Sequence, residues 1–150
     1  MAKMADVHMR RRWILAALSL VLAGSALGQE ANTMKIRLMV DGKPIHAILL
    51  DNPTTRDFLS LLPMTITLED YASTEKIAYM PRKLSTAGAP AGVDPAVGDI
   101  TYYAPWGNLA IFYRDSGYAE GLVRLGSLDS GVEMLSTRGP LKVTIEALTK

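Results

Sequence analysis

Residues 99–114 read DITYYAPWGNLAIFYR, and this stretch decides the fold that the sequence predicts. Two apolar segments, 99–103 and 109–114, flank a connector that carries the turn-forming pair Gly107-Asn108, which is typical of a β-hairpin. The second segment is apolar on both of its faces. A strand of that kind lies in the middle of a structure, because other parts of the chain must cover each face. The hairpin is therefore predicted to be central.

A second hairpin is predicted upstream, at the start of the folded domain. Apolar and charged side chains alternate over residues 34–40, which is typical of a half-buried strand. Asp41-Gly42 then supplies the two positive-φ positions that a tight hairpin turn demands. Residues 45–50 are predicted to return as the second strand.

The rest of the chain predicts more strands and two short helices. Asn52 followed by Pro53 is typical of an N-cap and a first helical position, and Pro63 should end that helix. Ser130 and Glu133 have capping-box spacing, so a second brief helix is predicted to begin there and to run through Leu135. Four further segments are predicted strands: 64–69, 75–80, 122–125 and 142–147.

Residues 81–98 form a long irregular stretch that is rich in Pro, Gly and Ala. Loops of this length are uncommon inside a compact domain and tend to have a function. The many strands and short helices indicate a mostly β fold over residues 34–150. A closed barrel of about eight strands with two short helices is the predicted architecture, since closure removes unpaired sheet edges.

The first part of the chain is predicted to be a leader and not part of the barrel. Residues 1–12 are basic, residues 13–22 are apolar, and residues 23–28 are small. This order predicts a secretory signal peptide over residues 1–28. The apolar run is shorter than the roughly 20 residues of a transmembrane helix, so no stable membrane anchor is expected after cleavage.

Cleavage is predicted before Gln29, and a cut after Ala26 is the alternative. Residues 29–33 are then a disordered lead-in. The predicted localisation is periplasmic or secreted through the Sec route, with twin-arginine export through Arg11-Arg12 as the alternative.

Composition excludes several functions. Removing residues 1–28 leaves twelve Lys and Arg against fourteen Asp and Glu, so the mature charge is near −2. Such a surface does not attract nucleic acid. The sequence has no cysteine, which excludes disulfides, thiolate catalysis and cysteine-ligated metals. His46 is the only histidine after residue 28, so no metal site, cofactor or hydrolase triad is predicted.

Four short stretches resemble the signature of a bacterial cyclophilin-like family. They are residues 98–100 (GDI), 103–108 (YAPWGN), 111–113 (IFY) and 121–126 (GLVRLG). The resemblance extends over about residues 34–148 and implies a closed, eight-stranded cyclophilin barrel with a helix near each end.

True cyclophilins are prolyl isomerases, and this sequence departs from their active-site pattern. The Phe-His-Arg-Val motif that carries their arginine is absent, and the nearest local counterpart is the Met80-Pro81-Arg82 stretch. No glutamine follows Gln29, and His46 lies early in the chain, not late. The resemblance therefore implies the fold and leaves isomerase activity open.

Clustered aromatic residues and one arginine are the candidate ligand-binding residues. Aromatic rings suit an apolar pocket, and the guanidinium suits a ligand carbonyl or carboxylate. The alternatives are that the rings fill the core and that the arginine is a solvated loop cation. No catalytic residue is assigned. The predicted ligand-binding residues are Arg82, Tyr103, Trp106, Phe112 and Tyr113.

Three functions remain open on the sequence alone. The leading hypothesis is an exported cyclophilin-like module that binds a peptide or a small molecule. The alternative is a divergent peptidyl-prolyl isomerase that uses Arg82 and the aromatic residues. The third is a structural partner of another exported protein.

Overall fold

The computed structural model describes residues 33–148. The predicted leader over 1–28, and residues 29–32 of the predicted lead-in, lie outside the described residues. The elements are β1 (Met34–Val40), β2 (Lys43–Leu49), α1 (Pro53–Leu59), β3 (Met64–Tyr71), β4 (Glu75–Tyr79), β5 (Gly92–Val93), β6 (Asp99–Tyr103), β7 (Asn108–Phe112), β8 (Ala119–Glu120), β9 (Leu122–Leu128), a 3₁₀ helix (Val132–Ser136) and β10 (Leu141–Leu148).

Eight strands close into a barrel in the order β1-β10-β3-β4-β7-β6-β9-β2. Each neighbouring pair is antiparallel, and β2 pairs back onto β1 to complete the ring. Strands β5 and β8 pair separately as a small two-stranded sheet. The predicted mostly β barrel of about eight strands is confirmed.

Local turn and cap chemistry explains where the first elements begin. Asp41 and Gly42 have φ angles of 49° and 73°, as the hairpin between β1 and β2 requires. The Asn52 side chain accepts a hydrogen bond of 2.8 Å from the Thr55 amide, so the predicted N-cap of α1 is confirmed. The helix ends at Leu59, before the predicted stop at Pro63.

The brief helix predicted after Ser130 is present, but the predicted capping box is wrong. Residues Val132–Ser136 form a 3₁₀ helix without a side-chain cap hydrogen bond. Gly131 occupies the cap position with a φ of 81°, a left-handed conformation that glycine adopts without strain. Other differences concern strands: β9 extends to Leu128, and the short strands Gly92–Val93, inside the stretch predicted to be irregular, and Ala119–Glu120 were not predicted.

The apolar residues form one cluster inside the barrel and a second on its outer face. All five residues of β7 are buried. Leu109 and Ile111 belong to the interior cluster, whereas Ala110 and Phe112 join Leu122 in the other. Side chains alternate across a strand, so this second group, named the outer cluster, lies outside the sheet. The prediction that both faces of this strand are covered is confirmed.

Candidate ligand-binding cleft

A concave site of about 210 Å³ lies over the outer cluster. It is named the aromatic cleft, because four of its lining residues are aromatic. Phe112 and Leu122 belong to the outer cluster itself, and Tyr103 and Ala119 pack against it. The lining residues are Tyr71, Glu75, Tyr103, Trp106, Phe112, Ser116, Ala119 and Leu122.

The turn between β6 and β7 places Trp106 over the outer face. The amides of Trp106 and Gly107 both donate to the Tyr103 carbonyl, at 3.3 and 2.8 Å. Gly107 has a φ of 71°, which glycine permits without strain. The same turn packs against Gly121, just before β9, where a Cβ would lie 2.7 Å from the Pro105 ring. The glycine thus lets the turn pack closely against the start of β9.

The Trp106 ring lies nearly perpendicular to two tyrosine rings in the cleft. The Tyr71 and Trp106 centroids are 5.3 Å apart with an interplanar angle of 85°. Tyr103 and Trp106 are 5.4 Å apart at 79°. Both values are typical of edge-to-face pairs. Trp106 and Tyr71 are 45% and 42% exposed, whereas Phe112 is 3% exposed, so two rings remain open to solvent above a buried floor.

Among the described lining residues, Glu75 is the one that carries a carboxylate. It is paired with Phe112 across the β4–β7 ladder and with Tyr71 across the β3–β4 ladder. The side chain is half-buried, and its partial desolvation raises the pKa of the Glu75 carboxyl above its ordinary value. Within residues 33–148 it has no hydrogen-bond or ion-pair partner.

The structure brings three of the five predicted ligand-binding residues together. Tyr103, Trp106 and Phe112 line the aromatic cleft, and Tyr113 and Arg82 do not contribute to the described lining. The Tyr113 hydroxyl donates to Asp70 at 3.0 Å. Burial first, and then this hydrogen bond to Asp70, raise the pKa of Tyr113.

Arg82 lies against α1. Its guanidinium donates to the Asp57 carboxylate at 2.6 Å and to the Ser60 hydroxyl at 3.1 Å. The hydrogen bond from Arg82 is the main reason that the pKa of Asp57 is lowered, and the Ser85 amide adds to the effect. This arginine therefore ties the beginning of the long loop to the helix.

Tyr71 and Glu75 are lining residues that the sequence analysis missed. Side chains alternate along β4, so Glu75 and Ile77 lie on its outer face and the buried Lys76 lies on the inner face. This alternation could have placed Glu75 on the outer face from the sequence. No local pattern indicated that the turn Trp106 would fold onto Tyr71, because 35 residues separate them in the sequence.

A second concave site of about 270 Å³ adjoins the first, and Leu122 lines both. It is named the loop pocket, since residues 87–93 form one wall and the beginnings of α1 and β9 form the others. Its larger polar side chains are already engaged. Asn52 donates to the Arg124 carbonyl and caps α1, and Arg124 donates to Asp99 at 2.7 Å and to the Asp94 carbonyl at 3.0 Å.

In the part of the chain that the structure describes, no three His, Asp or Glu residues come together in a way that would hold a metal ion. A search of the same residues finds no helix with the length and apolar character of a membrane span.

Comparisons with known proteins agree with the fold. A family model described as the cyclophilin-like family matches residues 38–146. The solution structure of the hypothetical protein AF2241 from Archaeoglobus fulgidus superposes with a TM-score of 0.56 and 16% sequence identity, over 81% of this chain and 100% of that chain. At that identity the likeness shows the fold alone. A comparison with curated proteins finds no match.

Proposed function

Since the chain belongs to the cyclophilin-like family, we propose that it is a binding module whose aromatic cleft holds part of a peptide or a small molecule. The fold does not assign this function, because one fold hosts many functions. The proposal is supported by one observation above the others. Tyr103, Trp106 and Phe112, three residues predicted to bind a ligand, line one concave surface.

The exposure of Trp106 favours a binding role over a packing role. A tryptophan ring that only filled the core would be largely covered, but this one is 45% exposed beside the 42% exposed Tyr71. Exposure alone does not distinguish these rings from other surface aromatic residues, but they adjoin each other on one concave surface, which supports an interaction site. The cleft is smaller than the pockets of about 300–1,000 Å³ that hold drug-sized ligands, so it suits one side chain or one small head group.

The aromatic cleft is a better candidate than the adjoining loop pocket. In the loop pocket, Asn52 donates to the Arg124 carbonyl, and two of the five N–H donors of Arg124 are held by Asp99 and the Asp94 carbonyl. Ligand pockets need polar groups that are free to orient a ligand. Glu75 is such a group in the aromatic cleft, because within residues 33–148 it has no hydrogen-bond partner.

Binding without prolyl isomerisation is the form of the proposal that the contacts favour. The alternative requires Arg82 to reach the ligand beside the aromatic rings, but its guanidinium donates to Asp57 and Ser60. We expect no acceleration in a protease-coupled assay with a prolyl peptide at micromolar protein. Acceleration that is lost in Arg82→Ala would restore the isomerase hypothesis.

A titration followed by amide NMR tests the proposed cleft. The probes are N-acetylprolinamide, N-acetylphenylalaninamide and indole, added to the full chain. We expect at least one probe to move the resonances of Tyr103, Trp106 and Phe112, and Trp106→Ala to abolish the shifts. Tyr79→Ala is the matched control, because Tyr79 is a 64% exposed aromatic residue outside the cleft. Shifts confined to the loop pocket, or unchanged in Trp106→Ala, would contradict the proposal.

We also propose that residues 1–28 direct export, so that binding takes place outside the cytoplasm. The support is the basic, apolar and small-residue order of that segment. Cell fractionation with N-terminal sequencing tests it. The expected mature N-terminus is Gln29, and a protein that keeps Met1 in the cytoplasm would contradict export.

A further inference from the structure

The aromatic cleft contains a carboxylate that an apolar ligand would leave unpaired. Glu75 lines the cleft next to Phe112 and Tyr71. Within residues 33–148 no donor reaches its carboxylate. A partly desolvated carboxylate without a partner costs stability, and a complementary positive charge on a ligand would offset that cost.

The lining provides no such charge from the chain itself. No Lys, Arg or His is among the described lining residues. Lys76 follows Glu75 directly, but its side chain lies on the opposite face of β4 and is fully buried. Its ammonium group bonds to Asp70 and to the carbonyls of the 137–139 segment. The nearest cation in the sequence is therefore occupied elsewhere.

The three rings add a second attraction for a cation. An aromatic face carries partial negative charge, and a cation within about 6 Å of a ring centroid gains from it. Trp106 stands nearly perpendicular to both Tyr71 and Tyr103. Rings in this arrangement form adjacent walls and not a closed stack, so a ligand can contact more than one of them.

We propose that the aromatic cleft binds an alkylated ammonium group, with Glu75 as its counter-ion and Tyr71, Tyr103 and Trp106 as its walls. This inference rests on the proposed function and names the ligand class of the same cleft. Alkylation matters because the floor is apolar: Phe112 and Leu122 are both 3% exposed. A bare ammonium is strongly hydrated and loses more on desolvation, whereas methyl groups gain from contact with that floor.

The ammonium group has two sources, a free small molecule or a methylated side chain of a peptide. Both present the same chemistry to the cleft. The first binds alone, and the second gains contacts from the peptide backbone on either side of the cleft. Comparison of choline with a short peptide that carries trimethyllysine separates them.

Isothermal titration calorimetry of the full chain with choline and with 3,3-dimethylbutan-1-ol tests the inference. The alcohol has the same shape and no charge. We expect choline to bind at least about tenfold more tightly, in line with a desolvated cation–π contact. Glu75→Gln should weaken choline at least about fivefold and leave the alcohol unchanged. Glu133→Gln is the matched control, since Glu133 is an exposed carboxylate in the 3₁₀ helix.

The outcomes separate this inference from the proposed function. If choline and the alcohol bind equally and Glu75→Gln changes neither, the cation inference is overturned while cleft binding stands. If choline, the alcohol and the trimethyllysine peptide all fail to bind, the cation inference is overturned, and the NMR probes decide by themselves whether the cleft binds a ligand. A trimethyllysine peptide that binds more tightly than its unmethylated form supports the inference and assigns the ammonium to a peptide.

Discussion

Lys76 and Asp70 meet beside the β3–β4 turn, where the lysine Nζ lies 2.8 Å from Oδ1 of the carboxylate. The Lys76 side chain is 0% exposed, and that of Asp70 is 31% exposed. The ammonium group also donates to the carbonyls of Thr137 and Gly139, at 2.8 and 2.7 Å. An ammonium has three donors, so these three acceptors satisfy it and tie β3, β4 and the segment before β10 together.

Replacing this lysine should destabilise the barrel strongly. Lys76→Ala removes the partner of a partly buried carboxylate, leaves two carbonyls without a donor, and opens a cavity. We expect the free energy of unfolding in urea to fall by about 3 kcal/mol, the lower end for a broken buried pair, because Asp70 keeps some water. Lys142→Ala, at an exposed position on β10, should change it by less than about 0.5 kcal/mol. Similar losses in both variants would contradict this account.

The same contact should make stability depend on acid pH. Hydrogen bonding from Lys76, and next from the Gly139 amide, lowers the pKa of Asp70 below its ordinary value of 3.8. The folded state then binds fewer protons than the unfolded chain. The stabilisation that the ionised Asp70 carboxylate gives the fold is therefore complete above the ordinary carboxyl pKa. It is lost as the pH falls through the lowered pKa of Asp70.

Urea unfolding between pH 7 and pH 2 measures this contribution. The wild type should exceed Asp70→Asn in free energy of unfolding at pH 7, and the gap should close as the acid pH falls through the lowered pKa. Asp115→Asn, at an exposed position between β7 and β8, should follow the wild-type curve. A gap between wild type and Asp70→Asn that is independent of pH would exclude this electrostatic origin.

The fold was predictable because its signals are local. The alternation of β1, the Asp41-Gly42 turn and the Asn52 cap each depend on a few neighbouring residues. The buried Lys76 was not predictable, since its three acceptors lie up to 63 residues away. The capping box predicted from the Ser130 and Glu133 spacing is wrong, because Gly131 takes the cap position in a left-handed conformation that glycine adopts without strain.

The candidate site was predictable only in part, for the same reason. Tyr103, Trp106 and Phe112 come from one hairpin, so their proximity follows from the turn between β6 and β7. Glu75 reaches the cleft because β4 pairs with β7, and Tyr71 reaches it because β3 pairs with β4. The pairing of β4 with β7 joins strands that are not consecutive in the sequence, so the sequence did not predict it. Arg82 does not line the cleft, because its guanidinium binds Asp57, which lies 25 residues earlier in the chain. No local pattern in the sequence indicates that salt bridge.

Gly126, in the family-like stretch 121–126, lies where β9 packs closely against β2. This close approach gives another testable prediction. A Cβ at this position would lie 2.2 Å from the Ile48 carbonyl oxygen and 2.7 Å from the Leu49 Cα. These are backbone atoms of β2, so they cannot move aside without breaking the barrel register. We expect Gly126→Ala to lower the free energy of unfolding by about 1–3 kcal/mol.

Gly117→Ala is the matched control, because nothing lies within 4 Å of a Cβ there. It should leave the urea midpoint nearly unchanged or raise it slightly, since alanine restricts the unfolded chain. If Gly126→Ala were as stable as Gly117→Ala, the close approach of β9 to β2 would be wrong.

Glu75 should reveal a conflict between stability and binding. Desolvation raises the pKa of its carboxyl, so the folded state binds more protons than the unfolded chain around that pKa. Stability is then lost as the pH rises through the ordinary and the raised values, and the full cost is present at pH 7. Glu75→Gln removes this cost, and we expect it to raise the free energy of unfolding at pH 7 by less than about 1 kcal/mol, because the side chain is half-exposed to water.

Urea unfolding at pH 7 and at pH 3.5 measures this gain, which should shrink at the lower pH as the wild-type carboxyl takes up a proton. Glu133→Gln, an exposed carboxylate of the 3₁₀ helix, should show no gain at either pH. A substitution that stabilises the barrel while weakening choline would identify Glu75 as a residue kept for a ligand and not for the fold. A loss of stability at pH 7 would mean that Glu75 has a favourable partner in the folded chain, and the counter-ion role would then be untenable.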